Sequence, residues 1–75
     1  MKNELISLIN ETKKRIKFFE EEGSMTTATF IQEHDLSCFQ LALRLLNNGK
    51  DADIIFKAIN HYDSAPRNQV YSILS

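Results

Sequence analysis

Leu5, Ile9, Thr12, Ile16 and Phe19 recur at alternating steps of four and three residues. That spacing lines up one face of an α-helix. Leu8 widens the stripe, while Ile6 and Phe18 fall outside it. The pattern predicts a helix over about residues 3–22. Asn3 is placed to cap its start, and Glu4 suits the positive end of the helix dipole. Lys13, Lys14 and Lys17 fall on the outer face. Gly23 follows the last periodic position, where a helix commonly stops.

A second helix is predicted over about residues 26–47. Ser24, Thr26, Thr27 and Thr29 are alternative caps, and Thr29 with Gln32 has capping-box spacing. Ile31, His34, Cys38, Leu41 and Leu45 form its seam. Phe39, Ala42 and Leu46 lie beside that seam, with Leu36 and Leu43 at the far edge. The later half of this helix is therefore apolar over more than half its circumference. One partner helix cannot cover so wide an arc. The helix is expected to touch both the first helix and something downstream, or a second chain. Leu36, Phe39, Leu43 and Leu46 are the candidate self-association positions.

Asn47, Asn48 and Gly49 punctuate the chain, and Asp51 is placed to cap a third helix to about Tyr62. Its buried face reads Ala52, Ile55 or Phe56, Ile59 and Tyr62. A last helix, over about residues 65–74, carries Val70, Ile73 and Leu74. Ser64 is its expected cap, and Pro66 is tolerated in a first turn, where its missing N–H has no partner anyway. No segment alternates like a strand. The expected fold is all-α over the single domain 1–75. Two long helices form an antiparallel hairpin, joined by a short connection, and two short C-terminal helices fold over the apolar end of the second.

Size adds an argument for self-association. A chain of 75 residues buries only roughly 60% of its unfolded surface. Small domains compensate with disulfides, a metal or oligomerisation. The single cysteine, Cys38, forms no intrachain disulfide. A homodimer or higher oligomer is expected. The net charge of −1 lacks the electrostatic footprint of a nucleic-acid binder. No apolar run approaches the ~18 residues of a membrane span, and the N-terminus does not read as a signal peptide.

Candidate chemistry is thin. His34 and Cys38, four apart, can present two ligands to zinc, but no other His/Cys pair exists, and His61 with an acidic residue could complete the set only through the tertiary fold. The same pair would give a thiol and a base, without an orienting acid or an oxyanion site. Cys38 in an apolar seam reads as a core thiol. No cofactor, metal or catalytic residue is expected. Glu20, Glu21 and Glu22 sit at the unfavourable end of the helix dipole, with Lys17 in pairing distance. With the off-seam Phe18 they form a candidate partner-binding knob. Ser64, Arg67, Asn68 and Gln69 open the last helix, and Arg67, Asn68 and Gln69 are side chains of the kind that read base edges. The turn before them lacks the usual glycine. Between residues 48 and 75, Lys50, Lys57 and Arg67 are cancelled by Asp51, Asp53 and Asp63. Few phosphate contacts are then available.

The segment from Ala28 to Phe39 resembles one found in small accessory proteins of tailed phages and enterobacterial prophages. The resemblance implies a bacterial host cytoplasm and a gene class that includes inhibitors of host defence. It carries no functional residues over. The expected function is non-catalytic: a protein-binding protein, such as a phage-encoded inhibitor or modulator of a host protein or complex, acting by surface occlusion. The alternatives are a small DNA-binding regulator using the C-terminal helix pair and an oligomeric protein that sequesters a small ligand.

Overall fold

A computed structural model describes residues 2–23 and 27–75. They form four helices: α1 (Lys2–Glu21), α2 (Thr27–Asn47), α3 (Ala52–Ala58) and α4 (Ser64–Leu74). No strand occurs among the described residues. No helix among them is long and apolar enough to cross a membrane.

The α1 stripe is arranged as its periodicity predicts. Leu5, Ile9 and Thr12 are buried, Leu8, Ile16 and Phe19 are half-buried, and Ile6 and Phe18 are exposed. Thr12 is a polar residue in this apolar face. Its Oγ1 donates to the Leu8 carbonyl at 2.8 Å, so the hydroxyl is not stranded by burial. Asn3 lies inside the helix, which already includes Lys2, so it is not the cap. Gly23, at φ +73°, takes the left-handed position past the end of α1, and its N–H bonds the Glu20 carbonyl at 3.1 Å.

Helix α2 runs antiparallel to α1. Arg15 Nη1 donates to Gln32 Oε1 at 3.4 Å near one end, and Ile9 and Lys13 share a groove with Gln40, Leu43 and Arg44 further along. Ser24 and Thr26, two of the expected caps, lie outside the described residues. Thr29 is buried within the helix and does not cap it.

The broad apolar arc of α2 divides between two neighbours. Helical spacing places Leu36, Phe39, Leu43 and Leu46 on one stripe. Leu43 on this stripe shares the α1 groove with Ile9. Cys38 and Ala42 lie on the flank toward α3 and α4, and both are fully buried. The seam expected from the sequence is corrected at its start: Ile31 and His34 are exposed. They continue the flank that meets α3 and α4, but those helices do not reach as far as Ile31. Phe39 is 1% exposed within this one chain, and Leu36, Leu43 and Leu46 pack half-buried against the core. Phe39 is thus withdrawn from the expected self-association surface, while Leu43 borders α1 and Leu46 borders α3 and α4.

The Asp51 cap is as expected: the Ile54 N–H donates to Asp51 Oδ1 at 3.0 Å. Helix α3 is shorter than its apolar pattern suggested. It ends at Ala58 rather than near Tyr62. The chain turns over residues 59–62, with the Tyr62 N–H bonded to the Ile59 carbonyl at 3.0 Å. The turn keeps Ile59 fully buried while releasing Tyr62 toward α2. Asp63, not Ser64, holds the N-cap position of α4, and its side chain makes no capping bond. Pro66, Val70 and Leu74 bury the inner face of α4. Phe56 meets Tyr71 edge-on at 4.6 Å, joining α3 to α4.

Helix α4 lies beside the N-terminal half of α1, where Glu4, Leu8 and Glu11 face Gln69, Ser72 and Ile73. Leu74 and Ile55 close over Leu46. The core therefore sits at one end of the hairpin. The hairpin extends beyond this core to its other end, where Phe18, Phe30 and Ile31 are exposed. The 39 × 23 × 18 Å envelope reflects that extension.

Candidate functional site

Two places carry unusual groupings: the junction of α2 with the α3–α4 connection, and the far end of the hairpin.

At the junction, the Tyr62 ring lies near two imidazoles, both tilted to it: His34 at 4.8 Å and 53°, His61 at 4.3 Å and 39°. Its hydroxyl and Ser37 Oγ share a hydrogen bond of 2.9 Å. His34 Nε2 lies 3.9 Å from Asp63 Oδ2. Arg67 is half-buried beneath this surface. Its Nη1 donates to Asn60 Oδ1 at 3.4 Å, and its Nε is buried with no partner among the described groups. Burial raises the Asp35 carboxyl above its ordinary value. His34 and Arg15 pull the other way, and Asp63 adds to the rise.

Cys38 belongs to the floor of the junction. It is fully buried, and that burial pushes its thiol up to about 11, with the Asp35 charge adding and Arg67 opposing. An activated thiol needs access and a lowered pKa. Cys38 has neither, although His34 stands one helical turn away as the sequence spacing implied. No group of three or more His, Cys, Asp or Glu able to hold a metal occurs among the described residues.

The base-reading trio is divided by the fold. Arg67 is engaged with Asn60. Asn68 is exposed, and Gln69 faces the shallow groove against α1. The three do not form one exposed row.

The far end of the hairpin differs in kind. Phe18, Phe30 and Ile31 are 58%, 59% and 51% exposed, the largest exposures among the large apolar side chains described. Phe18 packs edge-on against Phe19, at 5.9 Å. Phe18 lies two turns beyond Glu11 on α1, and Glu11 lines the groove with α4. Ile31 lies one turn before Asp35, on the flank of α2 that meets α4. Both residues therefore face the same side of the hairpin, where α4 stops short. Phe30 points away from the Phe39 stripe. Glu20, Glu21 and Glu22 are all exposed beside this patch. Among the described residues there, Lys17 pairs with Glu21 at 4.0 Å, both side chains well exposed.

Glu21 and Glu22, one turn after Phe18, lie on its side of the helix end, whereas Glu20 lies on the far side. Phe30 and Ile31 were missed. Ile31 matched the buried seam in spacing, and its exposure follows from the length of α4, which no local pattern encodes. Phe30 was the available signal: nine positions before Phe39, it falls on the opposite side of the helix from that buried stripe.

These features define a small all-α protein with an apolar, acid-flanked protrusion. No protein-family model, curated protein or solved structure matches the chain.

Proposed function

We propose that this chain is a non-catalytic protein-binding protein that docks through the far end of its hairpin. One observation carries the reading: Phe18 and Ile31 stand exposed on the same side of the hairpin end, with Phe30 exposed on the outer side of α2. Single exposed apolar residues are ordinary, but a group of them marks an interaction surface. Aromatic anchors of this kind dominate protein interfaces. The acidic run beside them adds orientation and selects a partner with a basic rim. Binding of this type works by occlusion. In the phage setting implied by the resemblance over residues 28–39, the surface covered belongs to a host protein or complex in the bacterial cytoplasm.

The test compares the tagged wild type with a Phe18→Ser/Phe30→Ser/Ile31→Ser variant in capture from nuclease-treated bacterial lysate. The variant should keep the wild-type helical circular dichroism, because all three side chains lie outside the core. A stoichiometric protein retained by the wild type and lost by the variant supports docking at this end. Equal recovery by both removes the hairpin end from the reading. Partners that vanish with nuclease would favour the DNA-binding alternative instead.

A further inference from the structure

The charges around Phe18 are arranged as if for a copy of themselves. Lys14 and Arg15 stand one helical turn before it, and Glu21 and Glu22 one turn after. All are exposed. When two identical helices cross antiparallel about a two-fold axis at one residue, a position one turn before that residue meets the partner's position one turn after it on the same flank of the helix. With the axis at Phe18, Lys14 shares a flank with the partner copy's Glu21 and Arg15 shares the other flank with its Glu22. Each pair occurs twice by symmetry, and the two Phe18 rings meet at the centre.

We infer that a second copy of this chain occupies the face of α1 around Phe18, with the two α1 helices antiparallel. This rests on the reading of the hairpin end as a contact surface, and pairing of two copies through Phe18 competes there with docking of a different protein.

Three observations bear on the choice. A parallel pairing in register would set Lys14 on Lys14 and Glu22 on Glu22, so the charge order selects the antiparallel one. The competing pairs within the chain are weak. Arg15 lies 3.8 Å from Glu11 and Lys17 lies 4.0 Å from Glu21, and every one of these side chains is more than half exposed. Finally, acids at a helix C-terminus are unfavourable in isolation. Cations delivered there by a second copy offset that cost and give the acidic run a structural reason. The patch is small compared with the about 1,200 Å² of a standard interface, so the dimer is a weak one.

Sedimentation equilibrium of the full chain, over about 10 µM to about 1 mM at low salt, tests the inference. The wild type should dimerise. Lys14→Glu/Arg15→Glu makes this face all acidic, and Glu21→Lys/Glu22→Lys makes it all basic. Each variant alone should dimerise with a Kd raised at least about tenfold. An equimolar mixture of the two should form a heterodimer, and the variant with all four charges reversed should regain self-association. Circular dichroism checks that each variant is folded.

A wild type that stays monomeric, or a mixture that does not associate, overturns the inference. So does dimerisation indifferent to all four charges. The two proposals fail separately. A monomeric wild type that still loses a stoichiometric protein on Phe18→Ser/Phe30→Ser/Ile31→Ser sinks only the second copy. A four-charge variant that dimerises but captures nothing in either form sinks only the heterologous partner.

Discussion

Tyr62 and Ser37, 25 positions apart in sequence, share a hydrogen bond of 2.9 Å that fastens the α3–α4 connection to the middle of α2. The bond is exposed, so its loss is modest. Tyr62→Phe should cost about 0.5–1.5 kcal/mol in a denaturant titration. Tyr62→Ala should cost more, because it also removes the ring that contacts His34 and His61. A double-mutant cycle with Ser37→Ala isolates the bond, and zero coupling would show that it contributes nothing.

Two phenylalanines on the same helix should respond in opposite ways. Phe39 is 1% exposed, and Phe30 is 59% exposed. Phe39→Ala should cost about 3–5 kcal/mol and leave a chain this small barely folded. Phe30→Ala should shift stability by no more than about 0.5 kcal/mol. Thermal unfolding of both variants checks the contrast. Comparable losses would mean that Phe30 is part of the core.

Cys38 makes the fold sensitive to alkali. Its folded value lies at about 11, above the ordinary 9.0. A group raised on folding contributes stability that is intact below its unfolded pKa and lost as pH rises through the folded one. Stability should therefore fall by on the order of 2 kcal/mol between pH 9 and pH 11. Cys38→Ala should lack that fall, at the cost of a small cavity. At neutral pH a disulfide reagent should modify Cys38 only as fast as the protein opens.

Asp35 obeys the same sign at the acid end. Burial raises its pKa above the ordinary 3.8, so its contribution is present in acid and lost as pH rises through the folded value. Asp35→Asn should thus be more stable than the wild type at neutral pH, with the gap closing on acidification. Melting curves across that range test it. A gap that widens in acid would contradict burial as the dominant cause.

Gly49 ends α2 in a Schellman arrangement. Its N–H bonds the Leu46 carbonyl at 3.1 Å, and the Lys50 N–H bonds the Leu45 carbonyl at 3.0 Å, with Gly49 at φ +76°. Nothing lies within 4 Å of an added Cβ, so the cost of Gly49→Ala is purely conformational. It should be about 1 kcal/mol, and Gly49→Asn should recover part of it. Equal stability of all three would mean the turn can relax.

Local periodicity was enough for the existence of all four helices, the buried stripe of α1, the Asp51 cap and the punctuation at Gly23 and Gly49. Each depends on neighbours within a turn or two, which the chain order itself specifies. The exposed state of Phe18 and residues 20–22 was legible for the same reason. What only the tertiary structure decided is how far each neighbour reaches. Spacing places Ile31 and Cys38 on one stripe, yet α4 and its connection cover Cys38 and stop before Ile31. The same packing buried Phe39 inside the chain, shortened α3 so that Tyr62 could meet Ser37, and drew Arg67 to Asn60. Burial is a property of two surfaces. A periodic sequence declares only one of them, and the length and placement of the covering helices supply the other.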